Sequence, residues 1–137
     1  MRVSNLVRIS NLLLIIGVML TPTLLVAQEK IKVVASFSIL GDMIRQVTGD
    51  LAEVTTIVGP DADAHVYTPS TADAKSVAHA EVIFVNGLGF ETWSQTLIET
   101  SNTKAEVFVA TNGITPLMVD GQVDPHAWNS LKNGMQY

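Results

Sequence analysis

The chain has 137 residues, 15% of them charged and none of them cysteine, which allows one domain once any targeting segment is set aside. The missing cysteine excludes disulfides, thiolate metal ligands and a cysteine-borne lipid anchor. From Gln28 onward six Lys/Arg face thirteen Asp/Glu, a formal charge of −7; this argues against nucleic-acid binding, which relies on basic surface, and is compatible with cationic ligands.

Residues 1–27 read as a secretory signal peptide. Arg2 and Arg8 precede the apolar run LLLIIGVML (12–20), and TPTLLVA then leads to Ala27. The run is short for a membrane span and has polar Ser10, Asn11 and Thr21 at its edges. Leu25 stands where a small residue usually precedes the cleavage point, so an uncleaved anchor is the alternative. An exported chain without disulfides fits a bacterial periplasm, and residues 28–137 form the mature unit.

IKVVASF (31–37) is a β-branched run and predicts a first buried strand. SILGDMIRQVTGD (38–50) follows with Ile39, Leu40, Met43, Ile44 and Val47 at helical spacing, and Gly49 ends that helix. AEVTTIV (52–58) predicts a second strand, stopped by Gly59–Pro60. DADAHVYTPS (61–70) is a loop, and residues 70–80 form a helix capped by Ser70 or Thr71. Residues 81–87 predict a strand, 90–100 a helix and 105–110 a strand; 112–123 reads as irregular, and 124–137 as a loop turning into a helix that has barely begun.

The order β-α-β-α-β-α-β predicts an α/β fold, a mostly parallel sheet flanked by helices. In such sheets ligands sit at the carboxyl ends of strands. His65 follows the second strand and His126 the fourth, so residues 61 positions apart can meet on one sheet edge.

Neutral imidazole is a common ligand for divalent transition metals, but two imidazoles are half of a tetrahedral set. Asp61, Asp63, Asp124 and Glu91 are nearby oxygen donors, and acids can also orient an imidazole by its other nitrogen. Pro69 and Pro125 stiffen the two loops. His79, at a helix end, reads as a solvated residue favoured by the helix dipole, and Trp93 and Trp128 as packing residues. GLGF (87–90) lacks the third glycine of a dinucleotide site, and no Walker loop, GxSxG elbow or HExxH helix is present. No enzyme motif is found; spacing alone leaves a metal role for His65 and His126 open, and a metalloenzyme built on them lacks a convincing third ligand.

In order along the chain, VVASFSILGDMIRQVTGD, VGPDADAHVYTPSTADAKSVAHAEVIFVNGLGFETW and DPHAW resemble the periplasmic metal-binding proteins of zinc and manganese ABC importers, the cluster A-I solute-binding proteins. The resemblance covers nearly all of residues 31–137. It implies two α/β lobes joined by one long helix, with the metal between them. It implies that the first lobe supplies two histidines, here His65 and His126, and the second lobe a His or Glu and an Asp. It also implies docking on an ATPase-driven permease in the inner membrane. This chain departs from the pattern by stopping at Tyr137, where the linking helix is expected to begin, so it reads as an N-terminal fragment or a truncated product. Residues 112–123 are short and lack histidine, unlike the His-rich loop of many zinc-type members, which leaves zinc or manganese as the ion. Since some members are described as surface adhesins, an adhesin-type interaction protein is a further alternative.

Overall fold

The computed structural model describes residues 29–137; the signal-peptide assignment to 1–27 lies outside them. The first strand, β1 (Ile31–Phe37), buries Val33 through Phe37 without interruption. Successive strand residues point to opposite faces, so unbroken burial means that both faces are covered, as in parallel sheets. Helix α1 (Ser38–Thr48) lays Leu40 and Ile44, one turn apart, into the core. Its N-cap is Phe37, so Ser38 is the first helical residue and no side chain caps this end. A 3-10 turn (Gly49–Leu51) leads into β2 (Ala52–Val58).

Helix α2 (Thr71–His79) opens on a reciprocal cap: Ser70 Oγ accepts from the Asp73 N–H, and the Asp73 carboxylate accepts from the Ser70 N–H. Of the two caps the sequence offers, Ser70 is the one used. Then come β3 (Val82–Val85), α3 (Ser94–Thr100) and β4 (Glu106–Val109). The four strands pair in the order β2-β1-β3-β4, and every pairing is parallel, as the alternation of elements predicts. Ile83 and Val77 are almost fully buried between sheet and helices; each such side chain stabilises the fold by about 1.5–3 kcal/mol. By contrast β4 closes one edge of the sheet with Val107, Phe108 and Val109 still 40–41% exposed.

Two segments differ from expectation. Residues 90–93 are not helical, and α3 begins at Ser94. The chain enters this segment through Gly87, Leu88 and Gly89, all with positive φ, and Phe90 and Glu91 are both buried by other elements. Residues 112–123, expected to be irregular, carry an antiparallel hairpin that runs on to Asp124, of β5 (Leu117–Val119) and β6 (Gln122–Asp124). Its turn is Asp120–Gly121, with φ of 51° and 80°. That is the left-handed pair a two-residue turn needs to match the twist of its strands. A 3-10 turn (Ala127–Asn129) and the short helix α4 (Leu131–Gly134) complete the described chain.

Candidate metal centre

Two loops at the carboxyl edge of the sheet build the site. The first leaves β2 at Gly59–Pro60. The Asp63 carboxylate accepts the His65 backbone N–H at 2.9 Å, a local turn of the kind aspartate favours. Ala64 is buried, and its carbonyl accepts the Trp93 indole N–H at 2.7 Å. Further on, the Tyr67 hydroxyl donates to Asp73 at 2.9 Å, onto the oxygen that also accepts the Ser70 N–H. This bond to a carboxylate, with lesser help from burial and charge, raises the Tyr67 phenol above its usual range. The loop is thus pinned on both sides of His65, whose own side chain is exposed.

The second loop leaves the hairpin at Asp124. One oxygen of that carboxylate accepts both the His126 backbone N–H, at 3.0 Å, and the ring Nδ1–H, at 2.6 Å. The backbone bond first, and the ring bond second, hold the Asp124 carboxyl below its ordinary range.

His65 and His126 meet: their Nε2 atoms are 3.1 Å apart. Both rings stand edge-on to buried Phe90, with centroids at 4.6 and 5.6 Å, and Trp128 flanks His126 at 5.2 Å. Phe37 packs beneath Phe90 and Trp128. This aromatic floor limits the rotamers open to the two imidazoles.

The proton inventory follows from the bonds. Asp124 fixes the His126 proton on Nδ1, which leaves Nε2 with a bare lone pair. The two Nε2 atoms face each other across the 3.1 Å gap. Two nitrogens sharing a tetrahedral zinc ion, each about 2.0–2.1 Å from it, lie about 3.3 Å apart, so the spacing suits one shared ion. Ligands must be unprotonated, so an ion held between the two rings would need both Nε2 atoms bare.

Among the described residues no group of three or more His, Asp or Glu side chains gathers to hold a metal. Asp63 and Asp124 are engaged by the histidine loops themselves, and Asp61 stays exposed. Glu91 turns inward: it is buried and accepts from Ser36 Oγ at 2.8 Å, from the Gly87 N–H at 3.3 Å and from the Asn86 N–H. His79 lies at the far end of α2, its Nδ1–H donating to the Lys75 carbonyl, and both tryptophans pack as the sequence suggests. Sequence reasoning misses Asn86, which follows β3 and is 0% exposed. A buried asparagine behind an apolar strand is the only signal that marks it, and periodicity does not read it.

The family described as ZnuA, zinc-uptake complex component A, periplasmic, matches residues 33–137 and so spans both histidine loops. The chain is 42% identical over 110 residues to the manganese-binding lipoprotein MntA of Halalkalibacterium halodurans, covering 80% of this chain and 37% of that protein. Among solved structures it is similar to the Mn-bound periplasmic metal binding protein of Candidatus Liberibacter asiaticus, at 37% identity and a TM-score of 0.71, over 79% of this chain and 41% of that one. It is also similar to a crystal structure of ZnuA, at 26% identity and a TM-score of 0.74, over 79% and 43%. The chain thus spans about two fifths of the length of these relatives, the extent of one lobe of a two-lobed protein. A match that runs from β1 through both histidine loops, on a fold shared with solved metal-binding proteins, makes the chain a member of the periplasmic zinc-uptake component A family.

Proposed function

We propose that this chain is the N-terminal metal-binding lobe of a solute-binding protein that delivers zinc or manganese to an ABC importer. His65 and His126 are its two ligands, and residues of a second lobe occupy the remaining coordination positions. On this reading the lobe works outside the cytoplasm, in the periplasm after export by residues 1–27. It hands the ion to a permease in the inner membrane and catalyses no reaction. The observation that carries the proposal is the convergence of two Nε2 atoms at 3.1 Å, one of them oriented by a carboxylate on its other ring nitrogen. Outer partners of that kind are what metal-binding histidines use to fix tautomer and direction. The relatives supply the choice of ion, since one is named manganese-binding and the family is named for zinc uptake.

Calorimetric titration of zinc and of manganese into the chain, beside His65→Ala and His126→Ala, tests this reading. Weak binding lost in both variants is the expected result, because two imidazoles alone leave half the coordination sphere to water. Binding that survives either substitution would overturn the ligand assignment.

A further inference from the structure

We propose that Asn86 is the positioning residue for His126, acting through the carbonyl of Pro125. The proposal rests on the reading of His126 as a metal ligand, and it concerns how that ring is aimed. Asn86 is fully buried, and both hydrogens of its side-chain amide are used: Nδ2 donates to the Gly87 carbonyl and to the Pro125 carbonyl, each at 3.0 Å. Its Oδ1 accepts from the Tyr137 hydroxyl at 2.5 Å. The backbone of Asn86 is held just as closely. Its N–H donates to Glu91, and its carbonyl accepts from Thr111 Oγ1 at 2.6 Å and from the Thr111 N–H at 3.2 Å. A side chain fixed from this many directions makes a rigid anchor.

What Asn86 anchors is the peptide unit between Pro125 and His126. The carbonyl of that unit is held by Asn86, and its N–H is held by Asp124. A peptide plane gripped at both ends cannot rotate without breaking one bond. That plane fixes where the His126 Cα sits, and together with the ring bond to Asp124 it limits where Nε2 can point. Pro125 has no N–H of its own, which leaves its carbonyl as the main-chain handle at that residue. Two of the tethers come from far along the chain, 39 residues between Asn86 and Pro125 and 51 between Asn86 and Tyr137. The same amide therefore joins the ligand loop to the last described residue.

A purely structural asparagine would affect stability alone, and Thr111→Val provides that control. It removes a short buried bond to the same Asn86 backbone without touching Pro125. Zinc affinity of the chain would be measured by calorimetry for Asn86→Ala and Thr111→Val, with hydrogen exchange across residues 124–128 recorded in the absence of metal. The expected result is that Asn86→Ala weakens zinc binding by about tenfold or more, in the range found for outer partners of ligands, and speeds exchange in that segment. Thr111→Val lowers thermal stability and does neither. Equal effects of the two variants on affinity, or an Asn86→Ala chain that binds zinc as the unaltered chain does, would overturn the proposal. If Asn86→Ala does not fold, Asn86→Asp keeps the size of the side chain and its acceptor for Tyr137 but puts an oxygen where the donor to Pro125 stood; faster exchange at 124–128 supports the clamp, and unchanged exchange sinks it. Failure of the unaltered chain to bind zinc would count against the function proposed above, while the metal-free exchange comparison would still judge Asn86.

Discussion

One carboxylate oxygen of Asp124 receives both N–H groups of His126, the backbone at 3.0 Å and the ring at 2.6 Å. The pairing fixes the tautomer, the ring plane and the local turn together. Replacing Asp124 with alanine frees all three while leaving the four-stranded sheet untouched. Zinc affinity is expected to fall by about 10- to 100-fold, with an unchanged far-ultraviolet circular dichroism spectrum. An Asp124→Ala chain of undiminished affinity would show that the imidazole needs no orienting partner.

The two tyrosines of the chain should both ionise late. Tyr67 is raised by its bond to Asp73. Tyr137 is pushed up to about 12 by burial first and the nearby Glu91 charge second. Raised values mean that the folded state prefers the neutral phenols. The stabilisation they give is fully present below pH 10.0, the ordinary tyrosine value, and is lost as pH rises towards about 12. An ultraviolet phenolate titration should show little ionisation at pH 10, and Tyr137→Phe should remove the highest step. A full phenolate signal by pH 10 in the folded chain would contradict this.

Trp93→Phe keeps an aromatic ring beside Tyr67, whose centroid lies 5.4 Å away, but deletes the donor to the Ala64 carbonyl. An unmatched carbonyl at a buried residue costs about 1–3 kcal/mol; the indole is only part-buried, which places this variant at the lower end. Urea denaturation should show the loss as a lower midpoint with the same slope. Hydrogen exchange in the His65 loop should rise while that of β1 stays slow. Equal change in both segments would mean that the bond supports the whole fold and not the loop.

Gly87 sits at the exit of β3 with φ of 86°, and a Cβ there would lie 2.5 Å from a Val109 methyl and 2.8 Å from Thr111 Oγ1. Gly89, with φ of 76°, would place its Cβ in open space. Both alanine variants carry the left-handed penalty of about 1–2 kcal/mol, and Gly87→Ala adds an overpacking cost of about 1–3 kcal/mol. Comparing their denaturation midpoints isolates the steric part. Similar midpoints would mean that the start of the β4 exit loop gives way at little cost.

Much of this arrangement can be read directly from residue order. β1 and β2 are β-branched runs with clear stops, and both covered faces of β1 follow from the apolar stretch VVA. The meeting of His65 and His126 follows from parallel topology, since both loops lie at the carboxyl edge. The hairpin at Leu117–Val119 and Gln122–Asp124 is missed by the irregular reading of 112–123, although a local signal for it exists. Asp120–Gly121 between LMV and QVD is a hairpin signal, and the flanking Gly113 and Pro116 obscure it. Residues 90–93 mislead for a different reason. Phe90, Trp93 and Leu97 have helical spacing, yet Phe90 belongs to the floor under the histidines and Glu91 to the end of β3. Asn86 and Glu91 gain their roles from partners dozens of residues away, such as Pro125 and Ser36. No local pattern encodes such a partnership.

The Asp120–Gly121 turn lies just upstream of a segment that is moored at Asp124 and Pro125. Both turn residues are exposed, and exposed turn tips of this kind accept inserted sequence readily. Length can therefore be added at that tip without disturbing the grip on His126. For a designer this makes the hairpin an insertion port: an epitope or a fluorophore-bearing peptide could be spliced there, five residues upstream of His126 in the chain. The cargo would hang from a turn while the bonds that moor Asp124 and Pro125 stay in place.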